Sequence, residues 1–218
     1  MQTIAAAAAL YLAMGTPGVA ATVIYDNGGP NRSGGTEMSN TILAQDFMLA
    51  APQALTSAVF HAVGLDNAIS TAALRYSIFA DNGGTPGAVV ASGSAVNKLV
   101  KATGEQALGG EEYKVSFAFE SAVVAAADTV YWLGLRFGDS DVPLNIYWST
   151  TAFNDTALGM ELFSGGWSGN TQEHSFSLGV GTSAVPEPAA WALMISGFAL
   201  SGVALRRRRA ASPALRAG

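Results

Sequence analysis

The chain has no cysteine among its 218 residues. That excludes a disulfide framework, a thiolate nucleophile and a thiolate metal site. Histidine is nearly as scarce, with His61 and His174 the two imidazoles. They are not paired with each other or with carboxylates at ligand spacing, which excludes a zinc site of the usual composition. Charged residues make up only 12% of the chain, and basic ones are rare outside its last stretch. Through Pro188 six of them (Arg32, Arg75, Lys98, Lys101, Lys114, Arg136) stand against sixteen acidic residues, a balance of 6 − 16 = −10. Such a surface repels phosphate, so no nucleic-acid partner is expected, and anionic lipid is disfavoured. No stretch before Pro186 has a convincing helical period, and no internal repeat occurs; the lack of a Thr-x-Thr ladder at fixed spacing argues against a solenoid of the ice-binding kind.

What is present is period two. In Glu112–Glu120, Tyr113, Val115, Phe117 and Phe119 alternate with Lys114, Ser116 and Ala118. Leu74, Tyr76 and Ile78 alternate with Arg75 and Ser77. Each pattern describes a strand with one buried and one wetter face. Val130–Phe137 is apolar on both faces, as a central strand would be. Further strands are expected at Thr22–Tyr25, Ile42–Leu49, Leu55–Val63, Val89–Ser94, Lys98–Ala102, Asn145–Thr150, Met160–Phe163 and Ser175–Val180. Glycine-rich turns separate them, at Asp26–Pro30, Asn82–Gly87, Gly109-Gly110 and Ser164–Gly166. The expected fold is all-β, a jelly-roll-like antiparallel β-sandwich of about one domain's length over residues 22–185.

Both flanks of that domain read as signals. Ile4–Met14 is a short apolar run, broken by Gly15, Pro17 and Gly18 and followed by the small-residue site Val19-Ala20-Ala21. This layout predicts a signal peptide over residues 1–21 and passage through the Sec export machinery. Met1-Gln2-Thr3 supplies no Lys or Arg, so either the true start lies upstream, the favoured expectation, or the amino terminus supplies the positive charge. At the other flank Ala189–Leu205 is uncharged. As a helix its 17 residues span roughly 25 Å, enough for a bilayer core. Trp191 suits the headgroup level at one end, and Arg206, Arg207, Arg208 and Arg209 form a cytoplasmic stop at the other. Residues 210–218 would be a cytoplasmic stub.

The order Pro186-Glu187-Pro188, apolar segment, arginine cluster resembles the PEP-CTERM sorting signal, a tail also labelled "ice-binding protein C-terminal". Within residues 186–209, Pro188-Ala189-Ala190-Trp191-Ala192, then Gly197-Phe198, Gly202 and Leu205, is similar to its Trp-Ala variant. The resemblance implies an exopolysaccharide-producing Gram-negative bacterium and processing near Pro186-Glu187-Pro188 by an exosortase-type membrane protease. It also implies a route: transient residence in the inner membrane with the ectodomain in the periplasm, then the outer surface or extracellular matrix. Separately, Tyr76–Gly93, with its Asp81-Asn82-Gly83-Gly84-Thr85-Pro86-Gly87 turn, and the later Tyr131-Trp132-Leu133 are similar to β-sandwich domains of bacterial surface proteins.

Residues with chemistry are few. His61 lies in an apolar strand without a nucleophile elbow and reads as a satisfied strand histidine, and His174 reads as a loop or edge residue. No catalytic residue and no cofactor is assigned. Asp139 and Asp141 are the candidate hard-oxygen ligands for calcium, with a solvated acidic loop as the alternative. Glu111, Glu112 and Glu120 are the carboxylates that a glycosidase would draw on, and they read as solvated strand edges. Tyr147, Trp148 and Trp167 are the candidate sugar-stacking rings, with Trp167 foremost because Gly165-Gly166 would place it on a turn. The alternative puts Trp132 and Trp148 in the core, with Trp167 closing one end of the sandwich. The leading expectation is a non-enzymatic surface or matrix protein, such as a biofilm matrix component. The rivals are a carbohydrate-binding module for matrix polysaccharide and a polysaccharide-acting enzyme. An exposed aromatic row would favour the first rival, and two facing carboxylates in a groove would favour the second.

Overall fold

A computed structural model describes residues 21–64, 66–139, 143–154 and 157–181. The expected signal peptide up to Ala20, the segment from Thr182 to Gly218 with its sorting motif, membrane helix and stub, and Asp141 lie outside the described residues.

Among the described residues, thirteen strands and one short helix follow in order. They are β1 (Ala21–Asp26), β2 (Gly35–Glu37), β3 (Leu43–Met48), β4 (Gln53–Gly64), α1 (Asp66–Thr71), β5 (Leu74–Asp81), β6 (Pro86–Ser94) and β7 (Val96–Ala107). β8 (Gly110–Ala125), β9 (Val130–Phe137), β10 (Tyr147–Ser149), β11 (Met160–Phe163), β12 (Gly166–Gly169) and β13 (Phe176–Gly181) complete the described part of the chain. Every strand pairing is antiparallel. The strands form two sheets. A six-stranded sheet runs β12-β11-β3-β9-β5-β6. In the seven-stranded sheet β1 and β13 lead to β4, whose other edge carries β8 and then β7, while β10 and β2 extend the sheet beside the end of β4. The antiparallel sandwich expected from the sequence is therefore present. Its winding as a jelly roll is not confirmed by these pairings.

The alternation in β8 is what closes the sandwich. Tyr113, Val115, Phe117 and Phe119 point inward to meet Tyr76 and Ile78 of β5 and Leu133, Leu135 and Phe137 of β9 across the core. Phe60, Trp148 and Phe176 add a ring cluster, with Phe60 edge-on to both Phe117 and Trp148. Large rings dominate this interior, and their area removed from water is its chief stabilising term. β9 is central, flanked by β3 and β5, and both of its faces are covered, as its apolar run predicts. Trp132 projects to the other side and joins Ala44, Phe79 and Met160, with Trp167 packed against them.

Three short elements depart from the sequence reading. α1 has six residues, too few for a helical period to register. Lys98 Nζ donates to the carbonyls of Ile69 and Ala72 at its end, holding a helix that lacks a basic residue in its own last turn. β2 and β12 have three and four residues and contain glycine, so neither shows alternation. The β11–β12 hairpin turns at Ser164 and Gly165, both with positive φ, and the strand resumes at Gly166. This corrects the placement of Trp167, which is a strand residue opposite Leu162.

Candidate functional site

The aromatic trio does not assemble. Trp148 is fully buried, its indole N–H donating to the Ser175 carbonyl and its ring against Phe60 and His174. It has no face left for a sugar, which corrects its candidacy. Tyr147 is half-buried on the seven-stranded sheet, whereas Trp167 is half-buried on the edge of the other. Trp167 stands edge-on to Phe79 at 5.2 Å. Among the described residues there is thus no row of exposed tryptophans and tyrosines.

Trp167 does not line the larger of two surface grooves; it packs on the Phe79–Trp132 cluster, as Ile42 of that groove's apolar wall also does. The outer face of the six-stranded sheet carries a depression of about 330 Å³. Register places Arg75 opposite Arg136, and Ser77 opposite both Gly134 and Ser92, so these side chains share the face. Gly134 leaves the floor open where Phe79 and Ile42 crowd above it; a Cβ there would lie 2.7 Å from the Phe79 ring. The polar wall is Arg75, Arg136 and Asp139, and the apolar wall is Ile42, which also packs in the cluster that Trp167 covers. Arg75 Nε donates to Asp139 Oδ1 at 2.8 Å and its Nη1 donates to Ser94 Oγ. That bond holds the Asp139 carboxyl below its ordinary value. Asp139 is thus engaged by an arginine, and among the described residues no three His, Asp or Glu gather to hold a metal.

The second groove, about 200 Å³, lies on the outer face of the seven-stranded sheet beside His61, Lys114, Ser175 and Asp26. Serine, histidine and aspartate stand together there, but the hydrogen bonds run the wrong way for a hydrolase. Ser175 Oγ donates to the Gly28 carbonyl, so at 3.1 Å it can only accept from His61 Nδ1. Ser175 is itself buried, and Asp26 accepts from the Gly28 amide instead of the imidazole. His61 is a satisfied strand histidine, and burial pushes its pKa below the ordinary value. Neither groove is lined by two carboxylates. Glu112 is buried beside Arg32 at 3.3 Å, not on a wet strand edge as its position suggests, and Glu120 accepts from the Ser94 amide.

His174 is the residue that the sequence reading misplaced most. It is fully buried, with Nδ1 and Nε2 near Gln45 Oε1 and Thr36 Oγ1 and its ring on Trp148. Burial pushes its pKa down to about 3. Its neighbour Glu173 is also buried and accepts from Asn27 Nδ2. The flanking sequence Gln172-Glu173-His174-Ser175 is wholly polar and carried no sign of this.

Residues 184–209 match the PEP-CTERM protein-sorting motif. No match to a curated protein was found for the chain. The motif implies an exported protein, processed by an exosortase and sorted through the membrane toward the cell surface or the extracellular space.

Proposed function

We propose that this chain is a non-enzymatic surface or matrix protein of an exopolysaccharide-producing Gram-negative bacterium. The Sec machinery exports it on the signal peptide at 1–21. Ala189–Leu205 then holds it in the inner membrane, with Arg206–Arg209 as the cytoplasmic stop and the β-sandwich in the periplasm. Cleavage near Pro186-Glu187-Pro188 releases the sandwich to the outer surface. The match of residues 184–209 to the sorting motif carries this reading. Pro186 and Pro188 support it, because proline cannot donate a backbone hydrogen bond and disfavours helix in the residue before it, a chemistry that suits a cleavage segment. Gly197, Ser201 and Gly202 support it too, since small residues let a short helix approach a membrane-embedded enzyme closely. Mass spectrometry of the secreted protein from its host tests the reading: the expected C-terminus lies near Pro186, and an intact chain ending at Gly218 overturns it.

The groove lined by Arg75, Arg136 and Ile42 favours carbohydrate binding as the second reading. It combines two guanidinium groups, serine hydroxyls and an apolar wall on one open face. A glycan array probed with the secreted protein tests this. Signal that is lost in Arg75→Ala and Arg136→Ala supports it, and no signal on any glycan overturns it.

A further inference from the structure

The two ends of the sandwich differ in a way the strands themselves define. Ala21 pairs with Gly181, so the first and last described residues lie side by side. β4 leaves this end, starting at Gln53, which pairs with Ala125 at the close of β8. The 49–52 and 126–129 connections therefore lie beside the exit of the chain, and they touch at the Leu49–Ala127 bridge. In segments 21–23, 48–54 and 121–129 the one charge is Asp128. Met48, Ala50, Ala51, Pro52, Val124 and Ala126 are exposed there, Val124 at 71% and Met48 at 52%. At the opposite end Arg32, Glu105, Glu111 and Asp139 stand in solvent or at its margin. The exit end also carries the β5–β6 turn with exposed Asp81, so its charges are Asp81 and Asp128, and the uncharged apolar stretch within it is Met48–Ala54 with Ser121–Ala127.

Gly181 is five residues from Pro186, since 186 − 181 = 5, and at about 3.5 Å per residue the link reaches no further than roughly 17 Å. A link that short limits how far the Ala21–Gly181 end can stand from Pro186. We propose that the face formed by Met48–Ala54 and Ser121–Thr129 rests on the lipid bilayer while the tail is anchored. The inference rests on the anchoring reading above. Asp128 is exposed and can stay in water at the rim. The other side chains of these segments are uncharged and can enter the headgroup boundary without desolvating a charge, and contact strength scales with the apolar area they bury. No basic residue lies in these segments, so attraction to anionic lipid plays no part. The contact would hold the Pro186-Glu187-Pro188 link at the membrane surface, within reach of an embedded protease.

The chain has no cysteine, so one introduced thiol labels one site. Full-length Ala51→Cys, Val124→Cys and Gln106→Cys would each carry an environment-sensitive fluorophore. They would be reconstituted into phosphatidylcholine vesicles containing a headgroup-proximal spin-label quencher. Gln106 is exposed and pairs near the far turn of the β7–β8 hairpin. Quenching at positions 51 and 124 should be at least threefold that at 106, unchanged when a third of the lipid is phosphatidylglycerol. Adding Ala50→Asp and Ala126→Asp should bring it down toward the level at 106, with circular dichroism unaltered. Equal quenching at all three sites in protein that co-floats with vesicles overturns this inference and leaves anchoring intact. Failure of the unlabelled full chain to float overturns both.

Discussion

The imidazole of His174 is sealed among Trp148, Gln45 and Thr36, and its pKa falls to about 3 from an ordinary value near 6.5. Between those values the unfolded chain binds a proton that the fold refuses, so stability rises with pH across that window and is lost as pH falls through it. Between pH 7 and 5.5, before carboxylates titrate appreciably, the loss from this residue should be about 1 kcal/mol. His61 is shifted in the same direction and adds to it. Urea unfolding at a series of pH values checks this, and the slope should flatten in His174→Gln; an unchanged slope would remove His174 as its source. A second test at this scale is Gly134→Ala. The new methyl would crowd the Phe79 ring at 2.7 Å and the Ile42 side chain at 3.0 Å, and both belong to the packed outer cluster. Overpacking of this kind costs about 1–3 kcal/mol, read as a lower urea midpoint at constant m-value.

Among the elements, β12 is where function and stability compete. As a turn residue, Trp167 could be removed without cost to the fold. As an edge-strand residue half-buried on Phe79, it covers the cluster around Trp132. Full burial of a tryptophan would make its loss worth about 3–5 kcal/mol. Half of the ring and an edge position reduce that, and Trp167→Ala should lose about 1–2 kcal/mol, measured as a drop in Tm of several degrees. An unchanged Tm would return the residue to a purely external role. The β7 edge is guarded differently. Its side chains are mostly exposed, yet Lys98 and Lys101 lie along it, and lysine on an open edge discourages pairing with another chain. Lys98 also serves α1, so one residue protects an edge and closes a helix.

At the scale of the whole molecule, the pairing of Ala21 with Gly181 means that the chain enters and leaves the sandwich at one point. β1 and β13 pair with each other there. Replacing Arg206–Arg209 with serine, or Pro186-Glu187-Pro188 with alanine, should leave export intact and block processing. Mass spectrometry would then find the C-terminus through Gly218 retained on membrane-associated protein. Release of a shortened form from either variant would show that the motif does not direct cleavage.

Two things were legible without tertiary structure. The address was one, because a proline-flanked glutamate, an uncharged run and four arginines act through local chemistry and order along the chain. The strands of the sandwich were the other, since β8, β5 and β9 each bury a face that period-two alternation marks directly. Segments of three to six residues, such as β2, β12 and α1, gave too few periods to register. What the tertiary structure alone decided was the company each residue keeps. Trp148 and Trp167 lie nineteen residues apart (167 − 148 = 19) and end on different sheets, one sealed and one at an edge. His174, in a polar stretch, is dry because β2, β3 and β10 close over it, while Glu112 in an alternating strand is buried against Arg32. Burial is set by long-range pairing, which depends on register between distant strands, and no local pattern encodes that register by itself.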